Sequence, residues 1–251
     1  MKINSLFGFI CAAALFISCG GPKTDSLFIN SKELQKSAKL FKETSLPLAI
    51  DTSFVFMVGR GDSLGGFEIK ALAGNIFKQG LSGGIEYDVN TFCTIDSIKE
   101  AGKYQQYVDS LDIGMTKIST AHALNEFHLD NNTLVLVWGL YSSSYEACPS
   151  SESWTVYGTI VYKGEVQETF LLGENSSWVD PPVATERTIT SNIAGDGIIT
   201  TDVYQMNDQD MDSADVEIRR EKYSFSIKEG KIFVESEKKS DPVREKRKPQ
   251  N

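Results

Sequence analysis

The sequence predicts an α+β fold, mainly antiparallel β, with N-terminal helices followed by a C-terminal β-meander that forms an open sheet, a sandwich or a barrel. Three observations carry this. Apolar stripes at helical spacing recur between Asn30 and Leu111. From Phe127 onward the apolar period drops to two. Short turns rich in Gly, Asn, Asp and Lys separate the period-two runs.

The elements follow in order. Lys2 gives residues 1–18 a positive start, and the apolar run Leu6–Ile17 is shorter than the roughly 20 residues that span a bilayer. It ends in Phe16-Ile17-Ser18-Cys19, which resembles the bacterial lipobox. That resemblance implies cleavage before Cys19, acylation of Cys19 with palmitate-type chains, and a lipid anchor in the membrane. At about 0.8 kcal/mol per buried CH₂, two or three such chains make release negligible. Residues 19–29 then form a tether.

A helix is expected over Asn30–Glu43, capped by Asn30 with Glu33, and a buried strand over Ser53–Val58. Gly59 to Gly66 reads as a glycine-rich turn. It contains Gly-Arg-Gly-Asp-Ser but neither a P-loop nor any other adhesin feature. Phe67–Gln79 is expected to be helical with Gly80 after its end, Ile85–Thr94 a strand, and Ser97–Leu111 a helix capped by Ser97 and Glu100.

Eight strands in hairpin order come next: Phe127–Leu129, Thr133–Tyr141, Trp154–Tyr162, Val166–Leu172, Arg187–Ile193, Ile198–Tyr204, Val216–Ile227 and Lys231–Glu235. In the seventh, the apolar phase changes after Ile218, which points to a bulge near Arg219–Lys222. The β-rich domain is expected to span 30–236. Residues 237–251, charged and with Val243 as the one aliphatic, are expected to be disordered and dispensable for stability.

Composition narrows the function. A formal charge of −9 argues against nucleic acid, which needs a basic footprint. No cofactor motif is present. In the body, Cys93 and Cys148 are either one disulfide or two buried thiols. His122 and His128 fit neither H-E-x-x-H nor a helical metal pair, and Asp208, Asp210, Asp212 and Asp215 fail the EF-hand register. Trp138, Tyr141, Trp154, Tyr157 and Trp178 gather on the central hairpins, as core or as a stacking surface.

One tripeptide recurs: Asp-Ser-aliphatic, with Ser26, Ser63, Ser97, Ser110 and Ser213 as its middle residues. It resembles the O-glycosylation sequon of Bacteroidota, and helix caps and turns are its structural alternative. Lipobox, tripeptides and strand-rich body together resemble an envelope lipoprotein of that group. The resemblance implies an outer-membrane location, facing the periplasm because Gly20 to Thr24 separate Cys19 from the first acidic residue. Its membrane contact is the N-terminal lipid, and ligand or protein partners are left open. No catalytic set is visible, so a non-catalytic binding or structural module is the first expectation. The alternative is an envelope hydrolase whose carboxylates meet only in three dimensions.

Overall fold

A computed structural model describes residues 29–77, 85–110, 116–145, 150–210 and 215–246. The chain is mostly β, and its strands make one antiparallel-dominated sheet of thirteen that does not close. Of the three arrangements the sequence allowed, the open sheet is the one adopted.

The first segments are short. Helix α1 (Lys32–Ala38) is capped by Ser31, whose hydroxyl accepts from Leu34 N, and not by Asn30. Asn30 instead donates its backbone N–H to Gly164 O and its amide to Glu165. Strands β1 (Lys42–Glu43) and β2 (Leu48–Ile50) follow. The expected strand at Ser53–Val58 is helical: α2 covers Thr52–Val55, and a 3-10 turn covers Val58–Arg60. Asp51 decides this by accepting the Phe54 N–H at 2.9 Å, and Phe54, Val55 and Val58 then bury one face.

Strand β3 (Asp62–Leu64) leads into α3 (Gly66–Ala73), which is shorter than expected. Gly74, at φ +47°, stops it, and Asn75–Ile76 become β4. The expected strand Ile85–Thr94 is the first part of helix α4 (Ile85–Glu100), which buries Ile85, Val89, Phe92 and Cys93 at helical spacing. Ser97 lies inside its last turn and caps nothing; α5 (Tyr104–Ser110) starts separately. Gly80 lies outside the described residues.

The meander then runs through β5 (Thr116–Asp130), β6 (Thr133–Tyr145), β7 (Ser150–Tyr162), β8 (Glu165–Asp180), β9 (Val183–Ile193), β10 (Ile199–Asp208), β11 (Asp215–Lys228) and β12 (Lys231–Lys239). Each pairs with the next. The tight β7–β8 turn places both Lys163 and Gly164 at positive φ, as a two-residue hairpin requires. The β11 irregularity lies between Ser224 and Phe225 on the β12 side, beyond the expected Arg219–Lys222, and β10–β11 pairing is unbroken there.

The middle of the sheet is buried on both faces, which is why Leu134–Trp138 and Val156–Val161 are nearly continuous apolar runs. On one face, Gly139, Val156 and Gly173 sit opposite one another. A Cβ on Gly139 would meet Val58 Cγ2 at 2.5 Å, and one on Gly173 would meet Ile50 Cγ2 at 2.8 Å and Val55 Cγ2 at 2.9 Å. So α2 and the 3-10 turn lie directly on the strands. On the other face, Trp138 and Tyr157 pack beneath α3 and α4: Tyr157 donates to Asp88 Oδ2 at 3.1 Å, and Thr159 and Thr169 both donate to Leu72 O.

The sheet forks at Gly173. Strands β8 and β9 pair only over Glu174–Asp180 and Val183–Ile189. Beyond the fork β9 takes β2 as its neighbour and β8 takes β4. The sheet curls far enough for Ile232 N to donate to Glu168 Oε2 at 2.8 Å, so a side chain spans what a closed ladder would fill.

The C-terminal expectation is corrected. Strand β12 runs to Lys239, and β13 (Val243–Lys246) continues along the same edge of β11, opposite Asp215–Ile218. Ser240 joins them by exchanging hydrogen bonds with the Arg220 backbone, and Arg220 pairs with Glu245 at 3.0 Å. The domain therefore passes 236. An edge strand is held by its backbone ladder, which a count of aliphatic side chains does not register.

Candidate functional site

On the face of the sheet that carries α2, a groove of about 490 Å³ lies over β9–β12 among the described residues. Its side chains come from two cross-strand rows. One is Thr188–Tyr204–Arg220; the other is Thr190–Asp202–Lys222–Lys238. Among the groove-lining residues Arg220, Lys222, Lys238 and Lys239 outnumber Asp202 and Glu221, although the whole chain carries −9. Arg220 stacks over the Tyr204 ring with its guanidinium carbon 5.6 Å from the centroid. Lys222 meets Asp202 at 3.1 Å, with both side chains more than half exposed. Such an open pair contributes about 0–1 kcal/mol and exchanges readily for another anion. Lys238 has no ion-pair partner among the described residues.

The first row continues past the groove. Thr188 faces Asn175, Asn175 faces Trp154, and Trp154 faces Tyr141. At that end stands an aromatic platform. Trp154 meets Phe56 of the α2 end edge-on at 4.9 Å and Tyr141 at 5.1 Å. Phe56 is 44% exposed and Met57 41%. The Tyr141 hydroxyl donates to Glu152 at 2.8 Å, and burial, then that carboxylate, hold the phenol above its ordinary value.

The structure thus divides the five aromatics. Trp138 and Tyr157 are core, 4.5 Å apart and fully buried. Tyr141 and Trp154 belong to the platform. Trp178 is exposed and lies outside that row.

Other sequence candidates do not converge. Cys19, Ser26, Cys148 and Ser213 lie outside the described residues. Cys93 is a buried free thiol whose Sγ faces Gly66 O at 3.6 Å, and desolvation raises its pKa. Ser63, Ser97 and Ser110 are all exposed. Two of their tripeptides have local structural work: Asp96 accepts the Gly66 N–H at 2.6 Å, and the Ser110 hydroxyl donates to Tyr107 O.

His122 and His128 sit on opposite faces, because the β5 bulge at Leu124 reverses the side-chain phase between them. His122 bonds Gly61 O at 2.9 Å through Nδ1 and Thr120 Oγ1 at 3.1 Å through Nε2, a structural role. Arg60-Gly61-Asp62 is strapped to β5: a Cβ on Gly61 would fall 2.1 Å from Ala123 O. Asp208 is buried and accepts the Asp210 N–H; Asp212 lies outside the described residues.

One group escaped the sequence reading. Glu126 of β5 pairs in register with Glu43 of β1, and burial, then the Glu43 charge, raise its pKa to about 7. By register Glu126 shares the face of Leu136 and Trp138, opposite to the groove. The groove residues also carry no sequence signal of their own, since four strands assemble them.

Fold and site together define an open, antiparallel-dominated sheet with a groove lined by charged and hydroxyl residues on one face. Comparison of the chain with protein-family models, with curated proteins and with solved structures finds no match.

Proposed function

We propose that the chain is a membrane-anchored envelope lipoprotein whose β-rich domain is a non-catalytic binding module. Phe16 to Cys19 supports the anchor: acylated Cys19 and the tether 19–29 hold the domain at the outer membrane, facing the periplasm. The groove over β9–β12 is the observation that carries the binding role. It is open, the stems and ring of its charged and aromatic side chains make an apolar wall, and Arg220, Lys222, Lys238 and Lys239 outnumber Asp202 and Glu221 in its lining on an acidic protein.

Two measurements test this. Labelled palmitate should enter the wild type and not Cys19→Ala; a wild type that stays unlabelled ends the anchor. The immobilised full chain should retain from envelope extract a ligand that the double variant Lys222→Gln/Lys238→Gln does not. Equal retention by both would remove the groove from function.

The hydrolase reading has one observation in its favour, Glu126, whose pKa of about 7 suits a general acid beside Glu43. Glu126→Gln should then abolish any glycan or ester hydrolysis by the pure chain. Hydrolysis that survives the substitution excludes that role.

A further inference from the structure

We infer that the grooved face of the sheet binds an acidic polysaccharide strand, laid across the β-strands with a sugar ring on the Trp154 platform and an acidic substituent at Lys222 and Lys238. The inference rests on the binding-module reading and gives its ligand a chemical class.

The row Tyr141–Trp154–Asn175–Thr188–Tyr204–Arg220 crosses β6 to β11 in unbroken register. Its chemistry changes along its length, from aromatic through amide and hydroxyl to aromatic and guanidinium. Neighbouring strands stand about 4.8 Å apart, so the row presents a new side chain at roughly the advance of one pyranose in an extended glycan. The exposed Phe56 and the partly buried Trp154 beneath it present apolar ring surface, which suits the C–H face of a sugar. Asn175, Thr188 and Thr190 supply donors and acceptors for hydroxyls.

The charge argument sets the acidic class. Asp202 is the carboxylate opposite Lys222, and Glu245 engages Arg220. Lys238 on the same row is the cation left over. An incoming carboxylate takes Lys238 directly and competes with Asp202 for Lys222, an exchange that costs little because that pair is exposed. A peptide would pair with a strand edge rather than lie across a sheet face. A nucleic acid would meet cations at one end of the row and a −9 protein elsewhere.

The test uses the full chain in detergent micelles, titrated calorimetrically with hexagalacturonate and with its fully methyl-esterified form. The two share a backbone and differ in charge. The acid should bind about tenfold more tightly than the ester, the worth of one charge-assisted contact. Lys238→Gln and Lys222→Gln should each weaken the acid several-fold and leave the ester unchanged. Trp154→Ala should weaken both forms alike, and Trp154→Phe should restore them; because Trp154 also packs on Tyr141, circular dichroism accompanies that pair of variants. Equal affinity for acid and ester, indifference of the acid to both lysine variants, or no binding of the acid overturns the inference. If hexagalacturonate fails while the envelope extract still yields a groove-dependent ligand, the polysaccharide class falls and the binding module stands. If neither binds, both fall.

Discussion

Trp138 donates its indole N–H to the hydroxyl of Thr159 at 2.8 Å, with both side chains fully buried. Thr159 in turn donates to Leu72 O, a carbonyl in the last turn of α3 that has no helical partner; Thr169 donates to the same oxygen. The pair thus joins a core indole to a helix end through one hydroxyl.

Thr159→Val keeps the shape of the side chain and strands the indole N–H, so it should cost roughly 2–3 kcal/mol. Thr169→Val leaves Leu72 O with Thr159 and should cost nearer 1 kcal/mol. Urea midpoints of the two variants decide it. Equal losses would show that the indole bond is not what Thr159 adds.

Glu126 makes stability depend on pH. Its folded pKa of about 7 stands above the ordinary 4.5, so between those values the folded state holds more protons than the unfolded state. Stability is therefore greatest below the unfolded value and falls as pH rises through 7. With solvent screening allowed for, the loss is on the order of 1–2 kcal/mol. Glu126→Gln should flatten that slope and raise the melting temperature at pH 8. A slope unchanged in the variant would place its source elsewhere.

Cys93 should resist alkylation in the native protein at pH 8, since burial both shields the thiol and raises its pKa. Unfolding in urea without reductant should expose it to labelling at once. Labelling that also needs a reductant would establish a bond to Cys148 instead.

Ending the chain after Ser236 removes β13 and the end of β12, and with them the ladder opposite Asp215–Ile218 and the Arg220–Glu245 pair. Several backbone hydrogen bonds at about 1 kcal/mol each should lower the melting temperature by roughly 5–10 °C. An unchanged melting temperature would mean that this edge adds nothing to the sheet.

The hairpins were legible because turn chemistry and alternation agreed: Lys163-Gly164 and Asn131-Asn132 each close a turn between paired strands. Helix α4 was not. Ile85, Tyr87, Val89, Thr91 and Phe92 have strand propensity, and packing against α3 overrides it. Helix α2 hid in the same way behind a short apolar run, with Asp51 as the sign that was missed. The groove was illegible for a different reason. Lys222 and Lys238 face each other only once β11 and β12 pair, and the Ser224/Phe225 shift within that pairing has no local signature.

The fork at Gly173 bears on how the chain is made. Synthesis runs from the N-terminus, so Leu48–Ile50 emerge long before Ile193, the strand end they pair with. Helix α3 likewise waits for Thr159 and Thr169 to receive its last carbonyls. Until then Ile50, Val55 and Leu72 have no sheet to bury them. The N-terminal third is a passenger on a scaffold not yet built. A nascent chain halted before β9 is therefore a sticky fragment, one that a holdase must shelter or a protease will find.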